Sequence, residues 1–258
     1  MTAANPHTIH TLIELRRFED AERMAIERTS RYPGEAHAWE QLAVCRIRQA
    51  RYREAEESCT RAISLDPTSW DAYRLRGISH HELGRYRKAE ADFSTGLSIN
   101  PLSDTLLLAF GILLEARAQM TPITATRTRK GKKRVDRAEQ YLRESLRLEP
   151  SNGYALTVLG RVLMLKRQYP NALDPLQQAV RLDPQNARSL IALGHVLIAT
   201  ERWEEGVSVV LEGVKCDPTE AKAGCHVVAY VPRRCRQRVS RSLWDQVDTM
   251  RKVAYNYG

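Results

Sequence analysis

Nowhere does the 258-residue sequence hold an apolar run long enough to cross a bilayer. The longest, Leu106 to Leu114, falls well short of the roughly 20 residues a spanning helix needs. The N-terminus MTAANPHTIH lacks a basic start followed by an apolar block, so no secretory signal is expected and the cytoplasm is the default location. Cysteine is scarce: Cys45, Cys59, Cys216, Cys225 and Cys235 are odd in number and no two are spaced C-x-x-C. A disulfide framework is not expected, and Cys216, Cys225, His226 and Cys235 fit no compact zinc knuckle. A Gly-rich phosphate loop, H-E-x-x-H and G-x-S-x-G are all missing, and the seven histidines show no metal-ligand spacing. The chain is therefore expected to be non-enzymatic, with no cofactor and no metal.

What is present is charge, unevenly placed. The formal net charge is +9. Residues 119–137 carry Arg127, Arg129, Lys130, Lys132, Lys133, Arg134 and Arg137 against Asp136, and residues 219–258 carry eight basic residues against three acidic ones. The basicity thus belongs to one insertion and one tail, and the rest of the chain is close to neutral.

A period is also present. Pro33, Pro67, Pro101, Pro150, Pro184 and Pro218 are 34 residues apart except across Pro101 to Pro150, where 15 extra residues coincide with the basic insertion. Fifteen residues before each proline stands Phe18, Tyr52, Tyr86, Val135, Tyr169 or Trp203, and twelve before it Ala21, Ala55, Ala89, Ala138, Ala172 or Gly206. Twenty-four before it, from the second unit on and with the insertion set aside, stands Ala43, Gly77, Gly111, Gly160 or Gly194.

Within one unit, Trp39, Leu42, Ala43 and Arg46 recur at helical spacing and define a first helix, A. Tyr52, Ala55, Cys59, Ala62 and Ile63 define a second, B, which Asp66-Pro67 ends because the residue before proline is pushed out of the α region. Trp39, Cys45 and Cys59 are expected in the core. Pro175 falls inside a B helix, where it removes one backbone hydrogen bond. No 34-residue pair buries its apolar face alone, so the units must stack.

The columns resemble the tetratricopeptide repeat family. Its W-x2-L-G…A-x3-F…A…P pattern is matched by Trp39-x2-Leu42-Ala43…Ala55-x3-Cys59…Ala62…Pro67. It is matched again by Tyr73, Gly77, Ala89, Phe93, Gly96 and Pro101, and by Leu156, Leu159, Gly160, Ala172, Leu176, Ala179 and Pro184. The resemblance implies an all-α fold, an α-α superhelical solenoid of helix-turn-helix repeats with a C-terminal capping helical segment. The expected organisation is a solenoid over residues 1–218. Its units are 2–33 (partial), 36–67, 70–101, 104–150 with a basic insertion at 119–134, 153–184 and 187–218. A helical cap and basic tail follow over 219–258.

The resemblance further implies a scaffold or adaptor that holds a protein or peptide partner in a concave groove lined by the A helices. Counting along those helices gives the candidate groove residues Arg74, Ile78, Leu108, Ile112, Arg161, Met164, Arg188, Ile191 and His195. This set suits a peptide with apolar anchors and some acidic character. The apolar members serve equally well as packing against the next helix, and the arginines as a solvated or salt-bridged face. The carboxylate clamp of chaperone-binding relatives is not expected, because Glu40, Val44, Leu75, Leu108 and Ile112 stand where its donors would be.

The insertion QMTPITATRTRKGKKR is expected to be a loop, with Arg127, Arg129, Lys130, Lys132, Lys133 and Arg134 as its basic residues. It reads as a solvated loop, as a contact for nucleic acid or another acidic surface, or as a localisation signal. In the tail, a last helix over roughly Ser240 to Ala254 reads as a cap on the stack or as a docking face. The alternative function is therefore a nucleic-acid-associated protein working through insertion and tail.

Overall fold

A computed structural model describes residues 6–120 and 128–256. Among them every regular element is helical, and the fold class is the all-α solenoid of helix-turn-helix pairs. The helices are α1 (Pro6–Glu14), α2 (Phe18–Arg31), α3 (Ala36–Arg48), α4 (Tyr52–Leu65), α5 (Trp70–Glu82), α6 (Tyr86–Ile99) and α7 (Asp104–Gln119). They continue as α8 (Arg129–Leu148), α9 (Gly153–Leu165), α10 (Tyr169–Leu182), α11 (Ala187–Ala199), α12 (Trp203–Cys216), α13 (Ala221–Val228) and α14 (Arg241–Asn256). By backbone proximity the chain forms two compact units, residues 1–113 and 114–258.

The turns explain why the period is so regular. From α4 on, each B helix of the repeats ends at an acidic or amide residue before proline. The next A helix commonly starts at a capping side chain. Ser69 accepts from the Ala72 N–H, Asn152 from Ala155 and Asn186 from Ser189. The A helices α1, α3, α5, α9 and α11 are each followed by a left-handed residue at one column: Arg16, Ala50, Gly84, Arg167 and Glu201, with φ between 57° and 71°. The N–H of the following residue reaches back to the A-helix carbonyl five residues before it, as Arg51 does to Arg46 at 2.8 Å and Gln168 to Leu163 at 2.9 Å. That is the Schellman closure, which favours glycine at the left-handed position. Only Gly84 supplies it.

Helix pairs close through small-against-large columns. A Cβ on Gly77 would lie 2.4 Å from Phe93 Cε1, and one on Gly160 would lie 2.4 Å from Leu176 Cγ. Where the A helix carries Ala43, the B residue in the column of Phe93 is Cys59, and both are fully buried. Burial pushes the Cys45 thiol up to about 12 and that of Cys59 higher still, so both behave as small unreactive hydrophobes.

Two expectations are corrected. Trp39 is half-buried rather than a core residue. It leans on the cluster of Ile9, Ala21, Ala25, Leu42 and Cys45 while its indole N–H reaches the Pro33 carbonyl at 3.1 Å, which keeps one edge of the ring at the surface. The insertion is not a loop throughout. Helix α7 runs 16 residues and α8 runs 20, against 13 and 14 in the neighbouring repeat, α9 and α10. Thr128 caps α8 by accepting from Gly131, so Arg129, Lys130, Lys132, Lys133 and Arg134 lie on a helix. The added segment keeps the apolar spacing of Gly131, Val135, Ala138 and Leu142, all buried, and so extends the B helix upstream. Arg127 lies outside the described residues. Helix α10 runs unbroken through Pro175, whose ring leaves the Asn171 carbonyl without a helical donor.

In the second unit the C-terminal segment packs on the last repeat. Val227, Val228, Val231, Val239, Val247 and Met250 share one buried cluster with Ile191, Ile198, Val207, Val210, Leu211 and Val214. Stacking there is close enough that a Cβ on Gly224 would meet Val214 Cγ2 at 2.7 Å.

Candidate functional site

A-helix residues 34 apart in sequence present equivalent faces, so the candidate face can be built column by column in each unit. In the first unit, α1, α3 and α5 together line a cleft of ≈ 300 Å³. Ile9 and Ile13 come from α1 and Val44 from α3, giving an apolar floor, and His10, His37, Glu40, Gln41 and Asp71 surround it. The floor exists because apolar A-helix positions recur at helical spacing, while polar side chains next to them in phase form the edge.

The edge is electrostatically ordered. Glu40 is buried, accepts from the Ser69 hydroxyl and sits 3.1 Å from His37 Nδ1. Burial alone would raise its carboxyl, but the His37 and Ser69 hydrogen bonds outweigh it and hold it below the usual range. The Glu40 hydrogen bond in turn raises His37. Asp71 accepts from Arg74 Nε at 2.7 Å. Arg74 is thus half-buried and salt-bridged along its own helix, and Ile78, Leu108 and Ile112 are half-buried on α5 and α7.

In the second unit the candidate residues are held by the protein's own groups. Arg161 donates to Glu115, whose side chain is 2% exposed, with Nε at 3.1 Å and a second guanidinium nitrogen at 2.8 and 2.9 Å from the two carboxylate oxygens. Arg188 is exposed and pairs with Glu220 at 3.0 Å. Ile191 is corrected from groove to packing residue: it is 7% exposed and buried beneath the C-terminal segment, because α13 and the residues after it cover the last A helix. His195 is half-buried, stacked on Tyr230 with ring centres 4.9 Å apart and tilted against Tyr169 at 6.2 Å. Burial lowers its pKa, and His226 lowers it further. Met164 remains half-buried on α9.

Sequence reasoning missed the contribution of α1. His10 is the first-unit counterpart of Val44 and Ile78, and Ile9 that of Ala43 and Gly77, with successive members of each column 34 residues apart. Extending those two columns back by one period would have found them. Among the described residues, no group of three or more His, Cys, Asp or Glu side chains is arranged to hold a metal ion. No described helix is long and apolar enough to cross a membrane.

Comparisons with known proteins agree with this geometry. Two tetratricopeptide repeat models match, one over residues 9–69 and 130–187 and the other over 58–91. Together they span more than half of the chain, which belongs to the tetratricopeptide repeat family. A search of curated proteins returns no match. Among solved structures, the chain is similar to a thermophilic tetratricopeptide repeat protein of Thermus thermophilus, at 18% identity and a TM-score of 0.61, covering 76% of this chain and 98% of that one. It is also similar to YrrB, described as a tetratricopeptide repeat protein with an unusual peptide-binding site, at 16% identity and a TM-score of 0.57, covering 78% of this chain and 96% of YrrB. The Cut9-Hcn1 hetero-tetramer of the APC/C aligns at 16% identity and a TM-score of 0.74, over 96% of this chain but only 46% of the matched chain. These likenesses establish the fold, which is in general a scaffold for protein–protein interaction.

Proposed function

We propose that this chain is a non-enzymatic scaffold that binds a partner peptide on the A-helix face, with its principal recognition site in the first unit. The observation that carries the reading is the cleft between α1, α3 and α5. Ile13 and Val44, half-buried above the fully buried Ile9, are shaped for an apolar anchor, and Glu40 and Asp71, each already holding a partner within the chain, make the edge of the cleft acidic. In the second unit Ile191 is buried beneath the C-terminal segment and His195 is stacked on Tyr230, which closes two of its candidate positions, and Arg161 and Arg188 are paired within the chain as Glu40 and Asp71 are. An acidic partner is accordingly less favoured than the arginines of the sequence suggest.

The test is selection of binders from a random peptide library on the whole chain, followed by titration of the enriched peptides against variants. Val44→Asp places a charge on the apolar floor, and its affinity should fall at least about tenfold, as expected for a central apolar anchor. Glu57→Gln, an exposed change on α4, should leave affinity unaltered. Enriched peptides that bind Val44→Asp as tightly as the parent chain would refute the assignment.

A further inference from the structure

The first three turns of α8 present an unusual surface. At about 100° per residue, Gly131, Val135, Ala138 and Leu142 fall on one side of the helix, and all four are buried. Arg129, Lys130, Lys133 and Arg137 fall on the opposite side, and all four are exposed. Successive members of the Arg129, Lys133, Arg137 row are one helical turn apart, about 6 Å along the axis. The outward face of this half of the helix is therefore a continuous cationic stripe.

Apart from Arg137, which is engaged by Tyr141, the fold does not use this charge. None of Arg129, Lys130, Lys132 and Lys133 forms an ion pair with a described residue. The nearest acids on the helix are committed elsewhere: Asp136 and Glu139 both bind Lys166, which follows α9, each at 2.7 Å. The charges also oppose the helix dipole. The first turn contains no acidic residue, although acids are what stabilise a helix N-terminus and cations work against it. A sequence tuned only for helix stability would carry the reverse pattern.

We propose that this stripe on α8 is a second binding surface, and that it takes the phosphate backbone of double-stranded nucleic acid. Three features select that occupant. The stripe is purely cationic with no apolar anchor, which is how sequence-independent phosphate contacts are built and not how peptide pockets are built. The apolar side of α8 is packed inside the protein, so the helix has no face to insert into a lipid surface. The stripe carries no aromatic ring until Tyr141, which is already engaged by Arg137, so there is no platform for stacking unpaired bases. This surface is separate from the peptide cleft, and either can fail without the other.

The experiment is fluorescence anisotropy of a short mixed-sequence DNA duplex titrated with the whole chain over a series of salt concentrations. Affinity should fall steeply with salt, and the slope of log affinity against log salt should shrink by about two in Lys130→Gln/Lys133→Gln, one per phosphate contact removed. Thermal melts of the variant should match the parent, since both side chains are exposed and outside any ion pair with a described residue. If the double exchange lowers the melt, the single exchanges carry the same test at about one each. A slope unchanged by the exchanges, or no duplex binding at about 50 mM salt, would overturn the proposal. So would sedimentation of the chain with phosphatidylserine vesicles in the absence of any duplex binding, which would assign the stripe to a membrane surface instead.

Discussion

Arg161 grips Glu115 with three hydrogen bonds of 2.8 to 3.1 Å, and the carboxylate it holds is almost wholly out of water. Burial pushes the Glu115 carboxyl up, and Arg161 offsets this only in part. The pair is therefore asymmetric. Arg161→Met leaves the buried carboxylate with the Gln119 amide as a donor but without a cation, and should cost about 3–5 kcal/mol near neutral pH. Glu115→Gln removes the desolvated charge while keeping an acceptor for Arg161, and should cost about 1 kcal/mol or less. A carboxyl raised in the folded state binds its proton more tightly there than in the unfolded chain. Stability is then lost as pH rises through the raised value and regained as pH falls. The Arg161→Met deficit should therefore shrink between pH 7 and pH 5. Urea unfolding at both pH values checks it, and an equal deficit would show that Glu115 is not the stranded group.

Ala50 occupies the left-handed position that closes α3, with φ of 57°, at the column where α5 is closed by Gly84. A residue with a Cβ pays about 1–2 kcal/mol there, and glycine gives back part of that as greater freedom in the unfolded chain. Ala50→Gly should therefore stabilise the protein by about 0.5–1 kcal/mol. The mirror exchange, Gly84→Ala, should destabilise it by a similar amount. Paired thermal melts decide the matter, and a loss of stability in Ala50→Gly would mean that the turn is not under conformational strain.

His195 and Tyr230 stack across the junction between the last repeat and the C-terminal segment. A histidine whose pKa is lowered by folding contributes stability that is present above its ordinary value of 6.5 and lost as pH falls below it. Acidification from pH 7.5 to pH 5.5 should therefore lower the protection against hydrogen exchange in α13 and the residues that follow, each rate being taken relative to the unfolded chain at the same pH because intrinsic exchange itself slows in acid. His80 and His81 are also lowered by burial, but they sit in α5 of the other unit, so a local readout separates the effects. His195→Phe keeps a ring against Tyr230 and should remove the pH dependence of that protection. Persistence of the dependence would place its origin elsewhere.

The parts of this architecture that could be read from the sequence are those repeated in it. The 34-residue columns carry the helix pairs, the small-against-large packing of Gly77 and Gly160, and the core positions of Cys45 and Cys59, because each is a local spacing seen several times. What could not be read depended on single, non-repeated contacts. Glu115 and Arg161 occupy different columns, and the insertion lies between them, so no period announces their pairing. Ile191 follows the same column as Arg74, yet the C-terminal segment covers it, and a repeat count has no knowledge of what caps the end. The upstream growth of α8 was hidden because charge dominated the segment, although Gly131 and Val135 already kept the helical phase.

The packing columns make a stricter demand than their periodicity alone suggests, because they can be exchanged between repeats. Gly77 faces Phe93 where the preceding repeat has Ala43 and Cys59 in the same two columns. Gly77→Ala drives a methyl to 2.4 Å from the Phe93 ring, which also lies 5.7 Å from Phe110 and so has little room to retreat. Overpacking costs about 1–3 kcal/mol, against which alanine recovers up to about 1 kcal/mol of helix propensity. The net loss should be about 1–2 kcal/mol. Phe93→Cys alone opens a cavity and should cost about 3–5 kcal/mol. In the double variant the methyl added at position 77 grows into the space the ring vacates, reproducing the pairing of Ala43 with Cys59. Its loss should fall short of the sum of the singles by at least about 1 kcal/mol, the coupling expected of residues in direct contact. Denaturant unfolding of the four proteins measures that coupling. Simple additivity would show that glycine stands at position 77 for some reason other than room for Phe93.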